Sequence, residues 1–308
     1  MRGLITLGVK VRTCITSPPY FGLRDYGTDG QLGLESTPDD YVARLVEVFR
    51  LVRDLLTDDG TLWLNLGDTY AGSWGNYGGE NRSAGKQRAI VSGSRAPNAA
   101  WDERTKFLPP AARGFPGIKP KDLIGIPWRV AFALQADGWY LRSDIIWHKP
   151  NVMPESVGDR PTKSHEYLFL LSKSSDYFYD SAAIAEPADP ASRPSTTAPR
   201  AQPPGHSKHE GPAFDGLGGF ETRNKRSVWT VTTQPYDGAH FATFPPNLIL
   251  PCVLAGSGAG DIVFDPFMGS GTTALVAKEN GRRYLGCELN PDYLALQIER
   301  LRQEVLFG

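Results

Sequence analysis

Thr16 to Tyr20 read TSPPY, and these residues carry the most specific chemistry in the chain. Neither proline has an N–H to donate and each locks φ, so the carbonyls around them project as fixed acceptors from the end of the element that precedes them. Fixed acceptors suit an exocyclic amine of a nucleobase, a donor whose nitrogen lone pair is delocalised into the ring. Held between the Ser17 hydroxyl and a carbonyl of the proline segment, such an amine regains a localised lone pair for in-line attack on a sulfonium methyl, through positioning and electrostatics. Tyr20 adds a ring on which an extruded base can stack. The plainer reading of TSPPY is a Pro-Pro turn with an incidental tyrosine.

A second constellation is DPFMGSGTT, Asp265 to Thr273. An acid closes a strand, the chain turns through Gly269 and Gly271, and a helix opens at Thr272 or Thr273. Glycine permits positive φ and a close approach of backbone to ligand, while a helix start offers unpaired N–H groups. Glu288, in GCELNPDY, follows the next strand, where an acid accepts hydrogen bonds from ribose hydroxyls in dinucleotide-binding folds. A nucleoside-triphosphate loop would need lysine after the last glycine, and Thr272 stands there instead. A turn that only packs helix against strand is the remaining alternative.

Other reactive side chains fit less well. Cytosine C5 methylation needs a thiolate nucleophile, but Cys14 falls inside the strand before TSPPY and Cys252 follows Pro251 in a helical stretch, so buried, inert thiols are expected. Cys14, Cys252 and Cys287 are far apart, with no CxxC pair and no histidine at ligand spacing, so neither a metal site nor a disulfide framework is expected. His148 in WHKP and His165 in SHEY are base candidates. An attacking amine becomes acidic only after transfer, however, and solvent can take its proton, so hydrogen-bonded structural roles are preferred. Asp68, closing LNLGD, reads either as a wall of a base pocket or as a cap.

Alternating strands and helices must position these groups. VRTCIT reads as a buried strand stopped by the prolines, and apolar spacing predicts a helix from about Pro38 to Leu56 that Asp58-Asp59-Gly60 ends. TLWLNLGD is a second strand; a helix near Pro127 to Ala136 leads to strand YLRSDIIWHK; HEYLFLLSKS and YFYD look like an antiparallel pair. Strand DIVFDPF, helix TTALVAKEN, strand RRYLGCEL and helix PDYLALQIERLRQEV complete the chain. The alternation argues for an α/β sheet, mostly parallel, with helices on both faces. Two irregular stretches read as long functional insertions, about 71–122 within a catalytic half of about 1–185, and about 186–226 between that half and a cofactor half of about 236–308. Basic residues there are candidates for phosphate contact: Arg82, Lys86, Arg88, Arg95, Arg104, Lys106 and Arg113 in the first, and Arg223, Lys225 and Arg226 in the second. Trp74, Tyr77 and Trp101 are interleaved with the first set as possible wedges, and solvated loops are the bland reading for both.

The 308 residues, 40% of them hydrophobic, suffice for one large core, and no apolar stretch approaches the roughly 20 residues of a membrane span. The start is too short and interrupted for a signal peptide, so a cytoplasmic protein is expected. A net charge of −1 supplies no global attraction to nucleic acid, which leaves any such contact to local basic faces.

In its order of segments the chain resembles the beta-group DNA amino-methyltransferases, in which the catalytic (S/D)PP(Y/F) tetrad precedes the FxGxG-type turn. TSPPYFGLRDYG, GTLWLNLGD, IIWHKPNVMPES, RPTKSHEYLFLLSKS and DPFMGSGTT are similar to that family's segments and span almost the whole chain. The resemblance implies a seven-stranded, doubly wound, mostly parallel sheet in permuted order, S-adenosylmethionine as donor, base flipping in double-stranded DNA, and target recognition by insertions. It matches Ser17, Pro18, Pro19 and Tyr20 to the catalytic tetrad, and Asp265, Pro266, Phe267, Gly269, Ser270, Gly271 and Thr272 to the cofactor turn. Glu288 matches the ribose acid, and Phe244 and Pro245 the segment that closes over the methionine end of the cofactor. Serine at the tetrad's first position marks cytosine N4 as target, with adenine N6 the runner-up. Members also carry an acidic segment ahead of the catalytic strand; the stretch before Val11 is too short for a full copy, so either the start is trimmed or the adenine edge is held differently. A companion restriction endonuclease is a further implied partner. RNA or protein-amide methylation, and a silent DNA-binding relative, are the other classes weighed.

Overall fold

Cys14 and Ile15 are neighbours in strand β1 (Val11–Thr16) and both are fully buried, so this strand has no solvent face. The same holds for Leu62, Trp63 and Leu64 in β2 (Leu56–Leu66), Phe169 and Leu170 in β4 (His165–Ser172), and Val263 and Phe264 in β8 (Ile262–Asp265). Alternate residues enter two separate cores, one on each side of the sheet. Unbroken apolar runs are what strands covered on both faces require.

The computed structural model describes residues 1–23, 28–71, 117–155, 157–188, 222–233 and 244–302. Its main sheet has seven strands in the order β7-β3-β4-β2-β1-β8-β9, completed by β3 (Tyr140–His148), β7 (Val228–Thr230) and β9 (Arg283–Gly286). Every pairing is parallel except those of β4, which runs antiparallel to both β2 and β3. Helices α1 (Arg2–Thr6), α2 (Pro38–Leu55) and α3 (Ile126–Ala136) cover one face; α4 (Pro246–Gly256) and α5 (Thr272–Glu279) cover the other. Helix α6 (Asp292–Arg302) follows β9. The expected α/β architecture is therefore the one observed.

Helix α2 shows why the pattern was readable. Thr37 caps it by accepting from the Asp40 amide at 3.1 Å, Pro38 occupies the first turn, and Asp39 and Asp40 complement the helix dipole. Tyr41, Leu45, Phe49, Val52 and Leu55 form one stripe at helical spacing, all fully buried.

Two expectations need correction. Asp58-Asp59-Gly60 does not end α2: the helix passes directly into β2, and the three residues lie in a bulge where the register jumps from Val11↔Leu56 to Thr13↔Thr61. The extra residues loop out because both flanking segments keep their pairing with β1. Nor does YFYD pair with β4. Both edges of β4 are taken by β2 and β3, and Phe178 and Asp180 instead donate their amides to Asp59 O and Ala255 O.

Both insertions leave and re-enter the fold at closed stems. At the first, Ala71 N donates to Asp122 O and Lys121 N to Ala71 O, each at 2.8 Å, beside a Tyr70–Leu123 bridge. At the second, β5 (Glu186–Pro187) pairs antiparallel with β6 (Thr222–Arg223). Among the described residues no helix is long and apolar enough to cross a membrane.

Leu45 is fully buried under the sheet, so Leu45→Ala is expected to cost about 2–5 kcal/mol in urea unfolding, whereas removing the cap with Thr37→Ala costs about 1 kcal/mol.

Candidate active site

β1 connects through α2 to β2 on one side, and β8 connects through α5 to β9 on the other; α2 and α5 lie on opposite faces. The chain therefore diverges between the carboxyl ends of β1 and β8, which opens a crevice where open α/β sheets bind ligands. TSPPY follows β1 and the glycine turn follows β8, so both constellations reach this crevice for a topological reason. Its cavity of about 890 Å³ is lined by Ser17, Pro18, Pro19, Tyr20, Phe244, Asp265, Pro266, Phe267, Gly269, Ser270, Thr272 and Glu288 together. Of the residues proposed from sequence, Gly271 and Pro245 do not line it: Gly271 caps α5 at φ 84°, and Pro245 caps α4.

On the glycine-turn side, Asp265 joins three elements. Its Oδ1 accepts from Thr16 Oγ1 at 2.6 Å and from the Phe267 amide at 3.0 Å, and its Oδ2 accepts from Thr273 Oγ1 at 2.7 Å. Burial pushes its carboxyl up to about 6 despite these three donors, and Glu288 adds to the rise. Glu288 stands past the end of β9 and accepts from the amides of Gly269, Leu289 and Asn290 at 2.7–2.9 Å. Three of its roughly four acceptor positions serve the backbone, which holds the carboxylate at the cavity wall with capacity for a ligand hydroxyl. Gly269 and Gly271 take φ of 50° and 84°, and at Gly286 a Cβ would lie 2.1 Å from Met268 Sδ. α6 braces the turn from behind, through Gln297 Nε2 to Gly269 O at 2.7 Å and Arg300 to the Ser270 and Thr272 hydroxyls at 2.9 Å. A wall that Gly269 leaves open, flanked by the Asp265 and Glu288 carboxylates and by Phe244 and Phe267, fits a nucleoside-bearing ligand.

On the other side, Tyr20 is held from several directions. Its hydroxyl donates to Glu166 Oε2 at 2.6 Å, with Asn65 Oδ1 at 3.1 Å and Ser17 Oγ at 3.4 Å. Burial, then the Glu166 charge, raise the phenol well above its ordinary range. A Cβ at Gly67 would fall 2.5 Å from Tyr20 Cε2, so glycine is required for the ring to lie where it does. Glu166 Oε1 pairs with Lys149, whose ammonium sits 4.1 Å from the centroid of the Trp147 ring. Tyr41 donates to the Pro19 carbonyl at 2.7 Å and fixes the second proline from below.

Sequence reasoning passed over Asn65, Gly67, Lys149 and Glu166. Asn65 did leave a signal, a polar residue inside the apolar run TLWLNL, 1% exposed here. Glu166 was overshadowed by His165 beside it. That histidine pairs across strands with His148, and neither lines the cavity. Desolvation first, then Lys163, lower the His165 pKa. Asp68 proves to be a cap, its Oδ1 accepting from the amides of Thr69, Gly125 and Ile126 at 2.9–3.0 Å where α3 begins. Cys14 and Cys252 are fully buried and burial pushes both thiols up, as inert cysteines require; Cys287 lines the cavity. Among the described residues no cluster of metal ligands occurs. Arg223, Lys225 and Arg226 gather around Glu186 at 3.0–3.8 Å, near the amino end of β7 and away from the cavity mouth. The basic and aromatic candidates of the first insertion, and residues 234–243 before Phe244, lie outside the described residues.

The sequence profile of the DNA methylase family, of N6 and N4 type, matches residues 11–299. M.Cfr9I, a Type II methyltransferase from Citrobacter freundii, is 49% identical over 295 residues, 96% of this chain and 82% of its own length. M.SmaI, a Type II methyltransferase from Serratia marcescens, is 48% identical over 288 residues, 93% of this chain and 82% of its own. Among solved structures, the cytosine-N4-specific PvuII DNA methyltransferase superposes with a TM-score of 0.60 at 17% identity, over 97% of this chain and 82% of that one. The M1.HpyAVI–SAM complex superposes with a TM-score of 0.52 at 17% identity, over 98% and 93% of the two chains. At these identities the superpositions establish a common fold.

The raised pKa of Asp265 carries a sign. The folded state favours its protonated form, so its contribution to stability is complete below the unfolded value near 3.8 and is lost as pH rises through about 6. Compared with Asp265→Asn, the wild type is expected to gain about 2 kcal/mol between pH 7.5 and 4.5 in urea unfolding; parallel pH curves for the two proteins would refute this.

Proposed function

We propose that this chain, which belongs to the N6/N4 DNA methylase family, methylates the N4 amino group of cytosine at specific sites in duplex DNA by base flipping and direct transfer. One observation carries the reading: the Ser17–Tyr20 tetrad and the glycine turn with Glu288 line a single cavity, so a base amine and a methyl donor meet in it. The donor is S-adenosylmethionine, which when bound supplies an electrophilic sulfonium methyl. Glu288 would hold its ribose hydroxyls, the Gly269–Gly271 turn would admit its backbone-hugging portion, and Asp265, Phe267 and Phe244 would border the rest.

The protein's own task is to present the amine. A flipped base stacks on Tyr20, whose ring Gly67 accommodates and whose hydroxyl Glu166 anchors. Ser17 Oγ and the Pro18 carbonyl accept the two amine hydrogens, since Tyr41 already donates to the Pro19 carbonyl. With both N–H groups held, the nitrogen lone pair points at the methyl, and positioning supplies most of the acceleration. No covalent enzyme adduct forms: Cys14 and Cys252 are buried, and Cys287, which lines the cavity, lies beside the glycine turn rather than the tetrad.

Cytosine is favoured over adenine by Ser17 at the head of the tetrad, through the family resemblance; an adenine N6 amine offers the same donors and is the second reading. Residues 71–122 and 186–226 serve as target-recognition elements on a single methyltransferase domain; in support, each leaves and returns at one stem, Ala71 with Asp122 and Glu186 with Arg223. A companion restriction endonuclease and a cytoplasmic location follow from a site-specific modifying role of the kind that the Type II names of its relatives describe.

Incubation with unmethylated DNA and labelled S-adenosylmethionine, then nucleoside mass spectrometry, is expected to yield N4-methylcytosine. Ser17→Ala is expected to slow transfer about 10²–10³-fold, and Glu288→Ala to weaken cofactor binding about 10-fold or more. N6-methyladenine would replace the base assignment alone. Failure to bind the cofactor, with no methylated nucleoside, would leave a silent relative as the better description.

A further inference from the structure

Ser17 has to face the target amine as an acceptor, yet a serine hydroxyl is both donor and acceptor and rotates to suit its neighbours. Something must choose. Around Ser17 the described side chains form a line running from Ser17 Oγ to Tyr20 Oη at 3.4 Å, from Tyr20 Oη to Glu166 Oε2 at 2.6 Å, and from Glu166 Oε1 to the Lys149 ammonium. Glu166 is an acceptor only, and both its oxygens are occupied by donors: Lys149 on one, Tyr20 and the Asn65 amide, at 3.3 Å, on the other. Asn65 cannot reverse its own amide, because its Nδ2 also donates to Tyr167 O at 3.0 Å. Its Oδ1 thus stands as a second acceptor for the same phenolic proton.

The Tyr20 proton is therefore committed to Glu166, on the same cavity wall, and away from Ser17, and the lone pairs of its oxygen turn toward Ser17. Ser17 in turn donates to Tyr20, and its own lone pairs are left facing the cavity. We propose that Glu166 is a positioning residue that sets the direction of this hydrogen-bond chain, so that Ser17 meets the exocyclic amine as an acceptor and never as a donor. Lys149, 16% exposed and packed on Trp147, occupies Glu166 Oε1 with a donor, which leaves Oε2 for the Tyr20 hydroxyl. The phenol, held neutral by burial, relays direction without losing its proton. This inference rests on the reading of Ser17 as an amine acceptor.

The test is the single-turnover rate of methyl transfer at saturating S-adenosylmethionine, on DNA carrying the site found by sequencing methylated plasmid. Glu166→Gln keeps the shape but can offer Tyr20 a donor, which frees the phenol proton to turn toward Ser17. It is expected to slow transfer about 10- to 100-fold while the cofactor dissociation constant, by calorimetry, changes less than about twofold. Tyr20→Phe keeps the stacking ring and removes the relay, with a loss of the same size. The double variant is expected to be no slower than the slower single one, because both interrupt one chain. Wild-type speed in Glu166→Gln, or losses that multiply in the double variant, would overturn the proposal. Should Glu166→Gln fail to fold, judged by its melting midpoint, Tyr20→Phe decides alone: a rate equal to wild type sinks the idea. A wild type that transfers to adenine instead refutes only the cytosine assignment, and the same rates measured on adenine then decide the chain's direction. A wild type that transfers to no base removes both readings.

Discussion

A single buried carboxylate ties the two halves of this site together. Asp265 closes β8, yet its oxygens are filled by a hydroxyl from the end of β1, a hydroxyl from the first turn of α5, and the amide that begins the glycine turn. The residue is 3% exposed, and an unpaired carboxylate at that depth would be costly. Three donors offset part of that cost, and the same bonds set the spacing between the proline tetrad and the glycine turn. Every later feature of the cavity inherits that spacing: the tetrad begins one residue after Thr16, and α5 begins one residue before Thr273.

Around this link the site is organised by opposite needs. On the side of the glycine turn, glycines take positive φ and side chains of α6 brace the turn from behind. The tetrad side is crowded and polar, with Tyr20 wedged against Gly67 and its hydroxyl committed to Glu166. On the proposed function, the donor would pass close to the backbone at Gly269, which carries no side chain, and a flipped base would be gripped by its edge and face, which requires rigid side chains. The two insertions leave from stems outside this arrangement, so their sequences can vary without disturbing the catalytic spacing.

Much of the fold was legible because its signals are local. The capped and striped α2, the apolar strands, the double proline and the glycine turn each announce themselves within about ten residues. The failures were failures of partnership. YFYD looked like the mate of HEYLFLLSKS, yet β4 had two better partners from distant parts of the chain; Asp58-Asp59-Gly60 looked like a stop, yet the flanking residues both paired with β1 and turned it into a bulge. Asp68 could be read as pocket wall or cap until the start of α3 was brought against it.

The sequence by itself determined the chemistry on offer: two prolines that cannot donate, a serine and a tyrosine beside them, glycines where backbone must come close, and acids at strand ends. Those properties belong to residue types and short spacings, and hold wherever the chain goes. Tertiary structure alone decided which groups share the cavity. Glu166 and Lys149 come from β4 and the end of β3, far along the chain from Tyr20, and become its partners only because an antiparallel strand is inserted between parallel ones and brings its first residues to the carboxyl edge of the sheet. No local pattern encodes that meeting, since it depends on long-range strand order, and a glutamate in SHEY looks like any other until the sheet closes around it.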